Sequence, residues 1–576
     1  MTTIFSSLLT LGLFSLLWLS SPVEGAALNV CGAITIASEE SVNNPNYTGV
    51  FELEGRQILQ GWQMWAELVN AKGGILVSSV AYTINLTVIN HGDGSDPLRV
   101  RAVYRGLLNG SYGVHCNFMF GPWTSGLTAV AAQENELASP PRTLFGMHAS
   151  APDTWECTEM LQPPCTQVGF RRFQYSWGGA PTSSSFFVPA VELLFIKGPR
   201  TIATFDFPSS YSSSLISGAV LAAESNGIEV IYQSHAPTLL PNISYYDDLV
   251  LTFKELDPDI VAGGTYFVNC IEFIKACERH HYVPKAVITS LCLSNPTYAN
   301  QSGPNGRYIM DFSTWDAEVD GPEFLESNST PGGTFFRYFS VERDASGRIT
   351  KASPRVFADR YFERWGEYPV DPLGNGAIID GYLLEWAITK SQSIETEAIQ
   401  NVLPLISENS FYGKLVFDVY GTNDKKTTLV TQTDLNNVNR IVYPNSAIQM
   451  SVIYPIPTLD ERVMEAGFYT HSSEIAITVV TCVNIVHCLL WMVFVFHYRQ
   501  HVVFRAAQAE FLYLFLFGGV LILLGIFTWQ IYVTSSSCQA APWLFAVGFT
   551  LLVGTVFIRA FRIFLIVRAS NKMKRV

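Results

Sequence analysis

Between residues 475 and 567 the chain carries five charged side chains in 93 positions: Arg499, Arg505, Glu510, Arg559 and Arg562. A segment so poor in charge does not make a water-soluble fold. It divides into apolar runs at 475–498, 511–533 and 542–567, of 24, 23 and 26 residues. About 20 apolar residues suffice for a helix to cross the hydrocarbon core, so three spans are expected. The loop 499–510 holds Arg499 and Arg505, the loop 534–541 holds no Lys or Arg, and Arg568, Lys572, Lys574 and Arg575 follow the third span. Positive loops stay on the cytoplasmic side, which puts the tail inside and everything before the first span outside. Arg559 and Arg562 fall in the inner part of the third span. There they either snorkel to the headgroups or pair with an acidic group on another helix.

The amino-terminal end agrees with that orientation. An apolar run at 8–19, broken by Ser20, Ser21 and Pro22 and followed by Val23 and Gly25, reads as a secretory signal peptide of residues 1–25. Six Asn-x-Ser/Thr sequons, at Asn46, Asn85, Asn109, Asn242, Asn300 and Asn328, all precede residue 331, and they read as glycosylation acceptors. Seven cysteines lie in the same stretch: Cys31, Cys116, Cys157, Cys165, Cys270, Cys277 and Cys292. No CxxC pair or Cys/His cluster suggests a metal, so disulfides are expected. Cys157 and Cys165 flank Pro163-Pro164 and are the first pair to expect. The net charge of −13 excludes a nucleic-acid partner, which needs a basic face. The chain thus divides into 1–25 (signal), 26–456 (extracellular domain), 457–473 (linker) and 474–576 (membrane region).

The extracellular segment alternates strand-like and helix-like patterns. Apolar strands are expected at 28–36, 82–90, 201–205, 229–232, 260–262 and 286–289. Helices are expected at 52–70 (with Leu53, Ile58, Leu59, Trp62, Trp65, Ala66 and Val69 on one face), 125–134, 212–226, 245–256 and 268–279. Strand–helix–strand repeats of this length mean parallel sheets covered on both faces, and the segment is too long for one sheet, so two α/β lobes are expected. Helices at 356–365 and 377–390 are expected to complete both lobes by crossing over.

Open α/β sheets bind ligands beyond the carboxyl ends of their strands. That rule selects Trp123, Thr124 and Ser125 in Gly121-Pro122-Trp123-Thr124-Ser125-Gly126-Leu127-Thr128, where a helix N-terminus favours an anion such as a carboxylate. Simple N-capping by Thr124 or Ser125 is the competing account. It also selects Ser150 in His148-Ala149-Ser150, Tyr211, and Thr265 and Tyr266 after the strand at 260–262. No P-loop, HExxH or GxSxG is present. No enzyme activity, catalytic residue, metal or cofactor is therefore expected.

Several of these motifs resemble a known family. Gly61-Trp62-Gln63-Met64-Trp65-Ala66-Glu67-Leu68-Val69-Asn70-Ala71-Lys72-Gly73-Gly74-Ile75, with Gly121 to Thr128, Ala149-Ser150 and Phe411-Tyr412-Gly413-Lys414-Leu415-Val416-Phe417-Asp418, is similar to type I periplasmic binding proteins and the flytrap ectodomains of receptors, over about 28–455. In the third span, Pro542-Trp543-Leu544, Gly548-Phe549-Thr550-Leu551, Gly554, Phe557, Arg559 and Arg562 resemble the third helix of class C G-protein-coupled receptors, nearest the metabotropic GABA group. Cys538 resembles the cysteine that tethers this helix to the second extracellular loop. The linker holds no cysteine, as in the GABA group.

The resemblance implies a two-lobed α/β ectodomain followed by an α-helical membrane region at the plasma membrane. It further implies a small-molecule ligand such as an amino acid, lipid around the spans, a heterotrimeric G protein and a dimer through the ectodomain. Two departures qualify it. The family has seven spans, so this chain is expected to be truncated after the third. Bacterial amino-acid binders carry an acidic residue shortly after the lobe 2 Gly-Gly, where this chain reads Gly263-Gly264-Thr265-Tyr266-Phe267-Val268-Asn269. The expected function is a receptor whose lobes close on ligand. The alternative is a solute-binding or decoy membrane protein without G-protein coupling. A receptor guanylyl cyclase is disfavoured, because that architecture has one span.

Overall fold

The computed structural model describes residues 26–36, 51–92, 96–158, 163–321, 324, 337–458, 471–531 and 535–573. The expected signal peptide, the sequons Asn46 and Asn328 and most of the linker lie outside the described residues. The chain forms two compact units, residues 1–462 and 463–576.

The first unit contains two lobes. Lobe 1 is built on a six-stranded sheet in the order β2-β3-β1-β4-β5-β6. Its strands are β1 (Ala26–Ile34), β2 (Ile75–Val77), β3 (Val80–Asn90), β4 (Phe118–Phe120), β5 (Thr143–Phe145) and β6 (Ser176–Trp177). All neighbours are parallel except β2 and β3. Parallel strands need crossover helices, and these are α1 (Glu52–Ala71), α2 (Pro97–Leu108) and α3 (Ser125–Glu136). Helix α1 lays Ile58, Trp62, Trp65 and Val69 into the core, the face expected from their spacing.

The chain then enters lobe 2 through α4 (Val188–Phe195). There it runs β7 (Thr201–Asp206), α5 (Ser210–Ser225), β8 (Glu229–His235), α6 (Ile243–Leu256), β9 (Ile260–Gly264), α7 (Phe267–Arg279), β10 (Val287–Thr289) and β11 (Met310–Ser313). Strands β9 and β10 are buried throughout, as strands covered on both faces must be. The sheet order is β17-β16-β11-β10-β9-β7-β8. After a small hairpin of β12 (Glu342–Arg343) and β13 (Ile349–Lys351), the chain is back in lobe 1 as α8 (Ser353–Trp365) and α9 (Gly374–Ser391). The hairpin β14 (Glu408–Ser410) and β15 (Gly413–Leu415) follows, and β16 (Leu429–Thr433) and β17 (Asn439–Tyr443) then add antiparallel to lobe 2.

Helices α8 and α9 therefore do not complete one lobe each; both complete lobe 1. Tyr361 on α8 donates to the side chains of Gln57 and Gln60 on α1, and Arg364 pairs with Glu67. Helix α9 is buried from Gly374 to Ile388, the mark of a helix inside a core. It lies so close to α1 that a Cβ on Gly61 would sit 2.6 Å from the Ala377 Cβ and from the Gly374 carbonyl. Asp380 on α9 accepts from Trp62 Nε1 at 3.0 Å and from the Met147 amide at 3.1 Å. It thereby ties α1, α9 and the end of β5 together.

Cys31–Cys116, Cys157–Cys165 and Cys270–Cys292 form disulfides, and Cys277 is the seventh, buried cysteine. The four described sequon asparagines, Asn85, Asn109, Asn242 and Asn300, are exposed.

The second unit contains α10 (His471–His497), α11 (Ala509–Ile531) and α12 (Ser535–Met573). Within them Ile477–His497, Ala509–Thr528 and Ala540–Ala569 are long and apolar enough to cross a membrane. Helices α11 and α12 meet backbone to backbone at Gly518 and Gly548. A Cβ at Gly518 would lie 2.8 Å from the Gly548 carbonyl, and one at Gly548 would lie 2.7 Å from the Gly518 carbonyl. Small residues permit this approach where apolar burial gives helices no reason to associate.

Candidate functional site

Loops from the carboxyl ends of both sheets meet at one cleft. Lobe 1 contributes two of them. The loop after β4 turns at Gly121, whose amide bonds the Phe145 carbonyl at 2.7 Å. It delivers Trp123, Thr124 and Ser125 to the start of α3. Thr124 caps that helix by accepting from the Leu127 amide at 3.4 Å. Ser125 Oγ accepts from the amides of Ser150 and Ala151 at 3.1 and 3.0 Å. It thus holds the loop after β5 in place, and its own proton remains to be donated. That second loop brings Met147, His148 and Ser150 to the wall.

Lobe 2 contributes Tyr211 from the first turn of α5 and Tyr266 from the end of β9, their rings 5.7 Å apart. The Tyr266 ring also meets Phe51 of lobe 1 edge-on at 5.9 Å. The lobes are therefore closed on each other.

Of the seven expected site residues, Trp123, Thr124, Ser125, Ser150, Tyr211 and Tyr266 line this cleft and Thr265 does not. Thr265 is fully buried. Its hydroxyl donates to the Ser290 carbonyl at 2.9 Å and accepts from the Ser290 amide at 3.1 Å, locking the ends of β9 and β10. Sequence reasoning missed Phe312 and Thr314, which follow the same strand-end rule but lie at and just past the end of β11, a strand without a clear pattern. It also missed Phe186, on the segment that crosses from lobe 1 to lobe 2, and Pro372, in the loop between α8 and α9; neither obeys a strand-end rule.

No Arg, Lys, Asp or Glu lines the cleft among the described residues. Burial lowers the His148 pKa to about 4, against the bond to the Leu373 carbonyl, so the ring is neutral. Burial raises Tyr266 to about 12. Asp311, behind the wall, is pushed to about 7 by burial, against the amides of Leu293, Cys292 and Phe312. Three buried polar atoms of wall residues, Trp123 Nε1, His148 Nδ1 and Tyr211 Oη, have no hydrogen-bond partner among the described residues. Buried polar groups are nearly always paired, so three such atoms in one wall point to a ligand.

Thr124 has φ 79° and ψ 146°, a conformation that costs a non-glycine residue ~1–3 kcal/mol and collects at functional sites. Thr124→Gly is expected to leave stability unchanged or raise it by ~1 kcal/mol, since Gly also serves as an N-cap. Thermal unfolding of the purified chain measures this, and a clear loss of stability would contradict the strain.

The sequence profile described as periplasmic binding protein matches residues 46–434, more than half of the 576-residue chain. The chain belongs to the periplasmic binding protein family. Among solved members of that fold, the leucine binding protein LivK of Thermotoga maritima aligns with a TM-score of 0.53 and 12% identity, over 72% of this chain and 97% of that one. LivJ of Streptococcus pneumoniae, solved with isoleucine, aligns with a TM-score of 0.51 and 14% identity, over 73% and 100%. Identities this low establish the shared fold alone.

Beyond the binding-protein region, residues 468–576 match the profile described as 7 transmembrane sweet-taste receptor of 3 GCPR. Metabotropic glutamate receptor-like protein K of Dictyostelium discoideum is 33% identical over 98 residues, 17% of this chain and 14% of that protein. Metabotropic glutamate receptor-like protein A of the same organism is 23% identical over 237 residues, 40% of this chain and 28% of that protein. The chain thus matches less than a third of the length of either relative. Together the two profiles give this chain a periplasmic binding protein domain followed by a class C receptor-like membrane region.

Proposed function

We propose that this chain is a cell-surface receptor of the class C G-protein-coupled type, in which a small carboxylate-bearing molecule closes the two lobes and closure acts on the membrane helices. The observation that carries the reading is the shared cleft, where an N-capped helix and two serines of lobe 1 face two tyrosines of lobe 2. Isoleucine occupies LivJ, and benzoate occupies a solute binding protein from R. palustris with the same fold. A ligand with a differential affinity for the closed state shifts the population toward it.

The exposed asparagines at 85, 109, 242 and 300 support an extracellular domain at the plasma membrane, with residues 1–25 as its signal peptide, 26–456 as the binding domain and 457–473 as the linker. The linker without cysteine and the motifs around Gly548 favour the GABA group within the class. A G protein and a second ectodomain are the partners this reading carries. An α-amino acid is disfavoured as ligand. The stretch Gly263 to Asn269 holds no acidic residue, and Asn269 in it turns its amide to Leu239, Tyr246 and Tyr266 and is not on the cleft wall.

The test is a thermal-shift screen of small acids on the full chain in detergent. At least one carboxylate is expected to stabilise it by several degrees, following RT ln(1 + [L]/Kd). Stabilisation by no acid would overturn the reading. Glycosidase-sensitive mass together with a protease-protected tail in sealed microsomes checks the orientation.

A further inference from the structure

We propose that the seam between the lobes holds a second binding site, in which Glu54 receives a primary alkylammonium ion as the lobes close. The site stands apart from the receptor reading and rests only on the contact between the lobes. A separate pocket lies in that seam. Lobe 1 brings Phe51 and Glu54 to it. Lobe 2 brings the apolar Leu239, Leu240, Phe267 and Val268, with Tyr266 and Asn269 as its polar members. Glu54 is the one carboxylate or cation among the described lining residues, and Tyr266 is the one other titratable group. Glu52 shares the turn but does not line the pocket. No cation answers Glu54: Arg56, the basic residue nearest in sequence, pairs with Glu367 at 3.1 Å.

A carboxylate taken out of water without a counter-charge is costly. A proton, a metal ion or an organic cation would answer it. A metal ion needs several oxygen ligands at once, and the side-chain oxygens beside Glu54 are engaged. Asn269 Oδ1 accepts from the Tyr266 amide at 3.1 Å, and the Tyr266 hydroxyl is bonded to Ser209 at 3.2 Å. A proton serves only at low pH, because burial raises Glu54 to about 7 and no further. Above that the seam holds a bare charge.

An alkylammonium suits both parts of the pocket. Its N–H groups donate to the carboxylate in charge-assisted bonds, and its alkyl chain lies against Leu239, Leu240, Phe267 and Val268. Both lobes supply the walls, so the ion prefers the closed form and shifts the population toward it. Tyr266 lines this pocket and the ligand cleft alike. One closure therefore serves both sites, and each occupant favours the other.

The experiment follows thermal unfolding of the full chain in detergent with n-butylammonium chloride at pH 8 and pH 6. Sodium chloride and 1-butanol at the same concentrations are the controls, one a cation without the chain and one the chain without the charge. At pH 8 butylammonium is expected to raise the unfolding midpoint by several degrees more than either control. Its affinity is expected to fall about tenfold at pH 6, as the ionised fraction of a carboxyl with a pKa of about 7 does. Glu54→Gln is expected to abolish the response at both pH values. Glu54→Asp, whose carboxylate sits one methylene short, is expected to keep part of it. Unfolding without amine shows whether either variant is misfolded. A response matched by butanol or sodium, one of equal size at the two pH values, or one retained in Glu54→Gln overturns the site. None of these outcomes bears on the receptor reading, which the screen of small acids decides.

Discussion

Asp380→Ala is expected to destabilise lobe 1 by about 3–5 kcal/mol, because it strips two buried donors of their acceptor and leaves a cavity. The donors are Trp62 Nε1 and the Met147 amide, and Asp380 itself is fully buried. Burial pushes the carboxyl well above its ordinary range, against the bonds from Trp62 and the Met147 amide. Asp380→Asn, an uncharged isostere that still accepts one of the two bonds, is expected to lose less than half as much. Thermal or urea unfolding of the two variants decides the matter, and equal losses would show that the acceptor pair is not the reason. Because the Met147 amide positions the loop that carries His148 and Ser150, Asp380→Ala is also expected to weaken ligand binding.

Ligand affinity is expected to fall as pH rises from 5 to 8, through Glu54. This carboxyl projects from the first turn of α1 into the seam between the lobes, against Leu239, Leu240, Phe267 and Val268. Tyr266 and Asn269 are the polar side chains facing it, and neither is charged. Burial raises its pKa from 4.5 to about 7, against a bond to its own amide. Opening the lobes returns it to water and toward the ordinary carboxylate value. A group whose pKa is raised in the closed form takes up a proton on closure. Its favourable contribution is complete below the open-state value and is lost as pH climbs through 7. The expected slope approaches tenfold in affinity per pH unit at its steepest. Glu54→Gln is expected to bind as tightly at pH 8 as at pH 6. Parallel pH profiles for the two proteins would assign the dependence to another group.

How much of this was legible in the sequence depended on whether a signal was local. The spacing of Ile58, Trp62, Trp65 and Val69 specified α1 and its buried face, and near-continuous apolar runs specified β1, β7 and β9. The strand-end rule then reached six of the residues now found on the cleft wall. Thr265 failed because the rule names a loop and not the direction of each side chain. Its partner Ser290, which captures the hydroxyl, lies just past the end of another strand, β10. The placement of α8 and α9 was not legible either, since nothing local records that a helix 300 residues downstream will meet α1. Gly61, which permits that contact, reads in sequence only as a poor helix former. Strand β16 was missed because Thr and Gln at buried positions mask its pattern.

The burial of α9 in lobe 1 has a consequence for biogenesis. The six strands of that lobe end at Trp177, yet the helix that fills its core begins at Gly374. A ribosome adding ~5–20 residues per second leaves the face of α1 that α9 covers waiting on the order of 10–40 seconds. All of the β7–β11 sheet is made during that interval. The β7–β11 part of lobe 2 therefore has the chance to fold while lobe 1 is still unfinished, and β16 and β17 join its edge only after α9 has been made. Chaperone demand, and sensitivity to translation rate, are expected to concentrate in the half of the domain that is synthesised first.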